Sequence, residues 1–224
     1  MTKSIRIVST KKLLISQKQF LLNTKLSVID ADFISIRPKH ATFETLEEIL
    51  LFTSQNAVKA ILEFNNVEKI KNKRIFCVGN KTKVLLQNQG FNVEATANYA
   101  TELAEIISSK YPNHSYTFFS GNLRQDALPK KLKEAEIIFK EIEVYETVLT
   151  PLKVKTKVDG ILFYSPSGVE SYLKENKITN EACFCIGKTT AKALEGFTKN
   201  IIIANEPSIE NVITTCINYF SHKY

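Results

Sequence analysis

The sequence predicts an α/β protein with two doubly wound parallel-sheet lobes, duplicated and flavodoxin-like, joined by a two-strand hinge. Three observations support this prediction. An apolar strand followed by a serine turn and a helix pattern occurs twice, at residues 49–58 and 160–169. Each copy is followed by a second apolar strand that ends in glycine, at residues 76–79 and 184–187. Strands also alternate with helices along the chain, as they do in parallel sheets covered by helices on both faces.

The elements of each copy follow from apolar runs separated by glycine and serine turns. In the first copy, strands are predicted over residues 50–53, 74–78 and 93–95, and helices over 55–64, 81–89 and 101–109. In the second copy, strands are predicted over 161–164, 182–186 and 201–203, and helices over 166–174, 189–194 and 208–220. Between the copies, a strand over residues 116–119 leads through a glycine turn into another helix.

Two segments fit neither copy of the repeat. Residues 28–38 and 141–151 alternate apolar and polar side chains as extended strands do, and both end at a proline. We expect them to include the interdomain linker strands, paired antiparallel as a hinge. Because the first repeat lies between them, the expected domains are residues 1–37 plus 151–224, a discontinuous lobe, and residues 38–145, an inserted lobe.

Composition restricts the class of protein and of ligand. The chain has 224 residues, of which 44% are hydrophobic, and this is enough to form real cores. Its net charge of +7 favours an anionic partner. No apolar run approaches the roughly 20 residues of a membrane-spanning helix, and residues 4–8 resemble a strand rather than a secretion signal. We therefore expect a cytoplasmic protein that does not bind a membrane.

The cysteines and histidines do not form a pattern typical of metal sites. All four cysteines lie in apolar patterns without Cys-x-x-Cys spacing: Cys77, Cys183, Cys185 and Cys216. We expect them to be reduced thiols in the core. The three histidines are scattered without ligand spacing: His40, His114 and His222. The sequence therefore predicts no metal site.

Six short blocks together indicate a family. They are Phe52-Thr-Ser54 with Ala57-Val58, Val78-Gly-Asn-Lys-Thr82, Ser120-Gly-Asn-Leu-Arg124 with Leu128-Pro129, Val144-Tyr-Glu-Thr147, Phe163-Tyr-Ser-Pro-Ser-Gly168, and Ile186-Gly-Lys-Thr-Thr-Ala-Lys-Ala-Leu194. In this order they resemble the uroporphyrinogen-III synthase family over most of the chain from about residue 49. One departure lies near the N-terminus, where many bacterial members have Thr-Arg-Pro and this chain has Thr10-Lys-Lys12. Lys11 offers a point charge there but not the two-pronged contact of an arginine.

The resemblance implies a monomeric enzyme of haem and tetrapyrrole biosynthesis that uses no cofactor. Its implied substrate is hydroxymethylbilane, a linear tetrapyrrole octacarboxylate, which is closed to uroporphyrinogen III with inversion of ring D and loss of water. This is lyase chemistry. It needs orientation of the chain and one proton donor for the leaving hydroxyl. The resemblance also implies a transient hand-over of substrate from hydroxymethylbilane synthase.

Candidate site residues lie mainly in turns between strands and helices. Helix N-termini present unpaired backbone N–H groups and a positive dipole end, both suited to carboxylates. With the family pattern, this predicts substrate-binding residues Ser54, Thr82, Gly121, Asn122, Arg124, Ser165, Ser167, Gly168, Thr189 and Thr190. Tyr145, which matches the tyrosine of the family's Val-Tyr-x-Thr block, is the candidate general acid.

Each of these residues also has a purely structural interpretation. The serines and threonines can simply cap their own helices, and Gly168 can serve close packing. Arg124 can be solvated, and Tyr145 can be packed at the hinge with a local hydrogen bond.

The alternative function is a non-catalytic two-lobed binding protein for a polyanionic small molecule. A dinucleotide enzyme would need a Gly-x-Gly-x-x-Gly turn, and nucleic-acid binding would need a concentrated basic stripe. The sequence has neither.

Overall fold

Strands and helices alternate along the chain in the computed structural model, which describes residues 4–39, 45–64 and 67–221. The strands are β1 (Arg6–Ser9), β2 (Ser27–Asp30), β3 (Ile34–Pro38), β4 (Ile49–Phe52), β5 (Arg74–Val78), β6 (Val93–Ala97), β7 (Tyr116–Gly121), β8 (Phe139–Leu149), β9 (Gly160–Phe163), β10 (Ala182–Cys185) and β11 (Ile201–Ile203). The helices are α1 (Ile15–Leu22), α2 (Gln55–Leu62), α3 (Glu68–Lys71), α4 (Asn80–Asn88), α5 (Ala100–Lys110), α6 (Ala127–Glu134), α7 (Pro166–Glu175), α8 (Lys188–Lys192) and α9 (Ile209–Ser221). The predicted α/β fold class is confirmed.

The chain divides into two compact units. The first unit comprises Met1–Ser35 and Val148–Tyr224, and the second comprises Ile36–Thr147. The sheet of the first unit has the order β2-β1-β9-β10-β11, with every neighbouring pair parallel. Counted along this unit, the order is 2-1-3-4-5, as in flavodoxin.

The sheet of the second unit has six strands in the order β3-β8-β7-β4-β5-β6. The five strands from β4 to β8 are parallel to their neighbours. At the edge, Lys39 N donates to Val144 O and Thr150 N donates to Phe33 O, so β3 runs antiparallel to β8. Without β3, the order along this unit is 3-2-1-4-5, which differs from that of the first unit.

The two sheets are nevertheless circular permutations of one arrangement. The sequence repeat makes β4, β5 and β6 equivalent to β9, β10 and β11. On the other side of β4 lie β7 and then β8, and on the other side of β9 lie β1 and then β2. The strand order therefore reverses beside the repeated strand in both units, and this is where open α/β sheets bind ligands.

Both faces of each sheet are packed. In the first unit, Ile7 and Leu162 belong to one apolar cluster and Val8 and Ile161 to another. The second unit likewise has two clusters, around Leu50 and around Leu51. All residues of β4 and β9 are buried, because helices cover both sides. This explains why these strands are continuous apolar runs instead of alternating patterns.

The structure differs from the sequence prediction around residues 28–38. This segment is broken into β2, a strand of the first sheet, and the separate strand β3. The break follows from the acidic turn between them. Asp30 Oδ2 accepts a hydrogen bond from Leu13 N at 2.8 Å, and Asp32 Oδ1 accepts one from Lys12 N at 2.9 Å. The two carboxylates hold the turn against the loop that follows β1.

Candidate active site

The predicted site residues lie at the carboxyl edges of the two sheets. In the second unit, Ser54 follows β4, Thr82 lies in the first turn of the helix after β5, and Gly121 ends β7. In the first unit, Ser165 follows β9, and Thr190 lies in the helix after β10. Ligands of open parallel sheets bind at this edge, so each unit gathers its candidate residues where a ligand site is expected.

Two equivalent serines cap the helices that follow the repeated strands. Ser54 Oγ accepts a hydrogen bond from Ala57 N at 3.1 Å, and Ser165 Oγ accepts one from Gly168 N at 3.0 Å. Their second partners differ. Ser165 Oγ lies 3.0 Å from Ser167 Oγ, whereas Ser54 Oγ lies 3.1 Å from the hydroxyl of Tyr145. Both serines are therefore caps, and one of them also contacts the candidate acid.

The helices after the repeated strands leave their positive ends without an acidic residue. The first turns of α2, α4, α7 and α8 contain no aspartate or glutamate. The helices that follow the sheet-edge strands β6 and β11 carry Glu102 and Glu210 in that turn. Lys81 and Lys188 lie in the first turns of α4 and α8. A cation there is unfavourable beside the helix dipole, and an anionic ligand would offset this.

Tyr145 crosses a neighbouring strand to reach Ser54. It lies on β8 in register with Gly121 of β7, and β7 separates β8 from β4. Gly121 provides the space for the ring, because a Cβ at this position would lie only 2.3 Å from Tyr145 Cζ. The ring also packs against the apolar cluster that contains Phe52 and Phe119. Because Gly121 has no side chain, it leaves the space in which the ring of Tyr145 lies.

Asn122 and Arg124 make contacts within the second unit. Asn122 Oδ1 accepts from Thr147 N at 2.8 Å, and Asn122 N donates to Tyr145 O at 3.3 Å.

The guanidinium of Arg124 binds both carboxylate oxygens of Glu141 and also contacts Asp126. Burial raises the pKa of Glu141, but hydrogen bonds from Arg124 and Ser120 and the charge of Arg124 outweigh it and leave that pKa below its ordinary value. Arg124 thus already has two carboxylate partners.

The remaining predicted residues differ in exposure. Thr82 and Thr190 are buried, whereas Thr189 is exposed. Gly168 is also buried, and a Cβ there would lie 3.3 Å from Ser165 Oγ and 3.5 Å from Thr10 Oγ1. Gly168 therefore permits close packing within its own unit.

Sequence reasoning missed a pair of hydroxyls beside β9. Ser9 Oγ lies 3.3 Å from the hydroxyl of Tyr164, and Thr10 Oγ1 donates to Leu162 O at 2.8 Å. Burial raises the pKa of Tyr164 well above its ordinary value. Ser9 and Tyr164 lie 155 residues apart in the chain and meet only because β1 pairs with β9. Their one signal in the sequence is that each lies at the end of an apolar strand.

The part of the chain that the structure describes contains no group of three or more His, Cys, Asp or Glu side chains that could hold a metal ion. His40 and His222 lie outside the described residues. The four cysteines are free and buried, and burial raises the pKa of Cys183 and of Cys185 to about 12.

Comparison with known proteins agrees with the motifs at these edges. A family model described as uroporphyrinogen-III synthase HemD matches residues 24–214. The chain belongs to the uroporphyrinogen-III synthase family. Members of this family are enzymes that bind hydroxymethylbilane, and the function of this chain is to close that linear tetrapyrrole to uroporphyrinogen III.

Solved structures show the same fold. Uroporphyrinogen-III synthetase from Helicobacter pylori is 22% identical, with a TM-score of 0.75 over 96% of this chain and 99% of that one. A mutant uroporphyrinogen III synthase from Thermus thermophilus is 13% identical, with a TM-score of 0.67 over 98% of this chain and 100% of that one. Within the described residues of this synthase, no helix is long and apolar enough to cross a membrane.

Proposed function

We propose that this synthase acts as a cyclising hydro-lyase that binds its octacarboxylate substrate at the carboxyl edges of its sheets and supplies one proton. The observation that supports this most directly is the absence of acidic residues from the first turns of the four helices after the repeated strands. Each of those turns offers backbone N–H groups and a positive dipole end to a carboxylate. A substrate with many carboxylates suits a protein with several such turns.

The proposed binding residues are those of the sequence prediction. The turns at Ser54 and Ser165 present the first amides of α2 and α7, and the turns that contain Thr82 and Thr189 present those of α4 and α8. The lysines in two of these turns and the net charge of +7 add attraction for a polyanion. Arg124 is the weakest member of the set, because binding a propionate requires it to leave Glu141 or Asp126.

Tyr145 is the proposed general acid. Its phenol would donate a proton to the leaving hydroxyl as the carbon–oxygen bond breaks, so that water departs and an azafulvene cation remains. The substituted carbon of ring D then attacks this cation, and the resulting spiro intermediate fragments and recloses at the free α-carbon of ring D with the ring inverted. That carbon then loses its proton, which balances the proton that Tyr145 gave. These later steps use the substrate's own reactivity. The enzyme mainly holds the chain so that the substituted carbon reaches the cation.

The proposal is tested with freshly made hydroxymethylbilane and separation of the product isomers. The spontaneous reaction gives uroporphyrinogen I, so the wild-type chain should raise the proportion of type III strongly. Tyr145→Phe should lower kcat for type III by about 100-fold, the scale of general acid catalysis. Type I alone from the wild-type chain would favour the alternative function, a non-catalytic binding protein for a polyanion. An unchanged rate for Tyr145→Phe would remove the tyrosine from the mechanism.

We also propose that substrate reaches this synthase in the cytoplasm, by transient hand-over from hydroxymethylbilane synthase. Free hydroxymethylbilane closes spontaneously, so direct transfer would reduce the type I by-product. With both enzymes present, less type I should form than when the same flux of preformed substrate is supplied slowly. Equal amounts of type I in the two reactions would contradict a hand-over.

A further inference from the structure

The hydrogen bonds of Ser54 leave its hydroxyl free to donate. A serine hydroxyl has one hydrogen to donate and two lone pairs to accept with. Ala57 N–H, in the first turn of α2, occupies one lone pair at 3.1 Å. Accepting this bond polarises the hydroxyl and strengthens it as a donor. The partner within reach of its hydrogen is Tyr145 Oη, at 3.1 Å.

We propose that Ser54 is a positioning residue that donates its hydrogen to Tyr145 Oη and so leaves the phenol's own proton for the leaving hydroxyl of the substrate. This inference rests on the proposed function, and it assigns Ser54 a role different from contact with a substrate carboxylate. The hydrogen of Ser54 is committed to Tyr145, so its side chain has no donor left for a carboxylate.

The backbone holds the tyrosine in the position that this role requires. Neighbouring strands lie about 4.8 Å apart, so the side chain of Tyr145 must cross β7 to meet Ser54 at the end of β4. It crosses at Gly121, where there is no side chain to obstruct it. At its base, Tyr145 O accepts from Asn122 N. Its backbone, its ring and its hydroxyl are thus each fixed by a different residue of the second unit.

The same arrangement stabilises the product of proton transfer. When Tyr145 gives up its proton, negative charge develops on Oη beside the donor hydroxyl of Ser54. That hydroxyl caps the N-terminus of α2, whose first turn contains no acidic residue. Oriented dipoles of this kind stabilise a developing anion without having to reorganise. Ser165, the equivalent cap in the first unit, has Ser167 Oγ in the place that Tyr145 Oη takes beside Ser54.

The experiment compares kcat and KM for type III formation in variants of the full chain. Ser54→Gly removes the hydroxyl at little cost in stability, because glycine is a tolerated N-cap residue. It should lower kcat by about 10-fold with KM unchanged, as expected for loss of one hydrogen bond to a developing charge. Ser54→Thr keeps the hydroxyl and should restore most of kcat. In a Tyr145→Phe background, Ser54→Gly should change kcat by less than about twofold, because coupled residues are not additive.

Ser208→Gly is the matched control for loss of a cap. Ser208 Oγ accepts from Asn211 N at 3.1 Å at the start of α9. Like Ser54→Gly, this variant should cost little stability, but it should keep kcat. A raised KM with unchanged kcat in Ser54→Gly would show direct substrate contact and overturn the proposal. So would equal kcat losses from Ser54→Gly with and without Tyr145. These outcomes can be distinguished from failure of the proposed function, because in that case the wild-type chain itself would make no type III isomer.

Discussion

At the scale of single residues, the position of the candidate acid Tyr145 depends on the absence of a side chain at Gly121. Gly121 lies where the ring of Tyr145 crosses β7, and the three nearest ring atoms would lie 2.3 to 2.8 Å from a Cβ at this position. These distances are far inside van der Waals contact. Something must shift to relieve these contacts, and a shift of the ring would disturb its hydrogen bond to Ser54.

Gly121→Ala should therefore lower catalysis by displacing the ring of Tyr145. We expect type III formation to fall by at least about 10-fold, because a small misplacement of a catalytic group has this effect. Gly160→Ala is the control, since this buried strand glycine of the first unit would place a Cβ 3.1 Å from Ile7, Phe184 and Phe220. It should cost about 1 to 3 kcal/mol of unfolding free energy by overpacking, while kcat is kept below the melting temperature. Equal kcat values for the two variants would contradict the positioning role of Gly121.

At the scale of elements, burial explains which parts of the sequence could be interpreted. The strands of the repeat were predicted correctly, within one or two residues, because helices on both faces make them continuous apolar runs. Helix α1 has no corresponding prediction. Its apolar residues are not confined to one face, and Ile15 is 87% exposed, so its sequence shows no helical periodicity. The break between β2 and β3 depends on hydrogen bonds to Lys12 and Leu13, which no local pattern reveals.

The turn after β2 should make the first unit sensitive to acid. Burial raises the pKa of Asp30, but hydrogen bonds from Lys18 and from Leu13 N, and the Lys18 charge, outweigh it and leave the pKa below its ordinary value. A carboxylate whose pKa is lower in the folded state stabilises the fold above its unfolded pKa of about 3.9, and this contribution is lost as pH falls through the folded pKa.

Asp30→Asn should therefore lower the free energy of unfolding at pH 7 by about 1 to 2 kcal/mol. The difference from wild type should shrink as pH falls below about 4. Urea unfolding at pH 7 and pH 3 measures both quantities. Glu68→Gln is the control, because the exposed pair of Glu68 with Lys71 should contribute little at either pH. A difference for Asp30→Asn that stays the same at both pH values would contradict the argument.

At the scale of the whole molecule, topology explains which site residues could be found. The turns after β4 and β9 were predictable because the repeat marks them twice in the sequence. The contact between Ser9 and Tyr164 was not, because it depends on β1 taking the place beside β9 that β7 takes beside β4. The circular permutation places strands from the start of the chain next to strands from its end. Periodicity describes single elements and does not contain this pairing.

The four apolar clusters lead to a prediction about folding. Each draws its residues from one unit alone. A segment with its own sheet and a core on both faces has what an independent domain requires. The segment Ile36–Thr147, expressed alone, should therefore show a cooperative thermal transition by circular dichroism. The first unit should do the same when Ser35 is joined to Val148 by a short glycine-serine linker, since Phe33 O already accepts from Thr150 N at 2.9 Å.

The comparison that decides this prediction is with the full chain under the same conditions. If the two cores are independent, the far-ultraviolet circular dichroism signals of the isolated segments should add up to the signal of the intact protein. Amide hydrogens of β4 and β9 should be protected from exchange in their own segments, because both strands are buried on both faces. A segment that lacks a cooperative transition, or whose central strand exchanges freely, would show that its core depends on the rest of the chain.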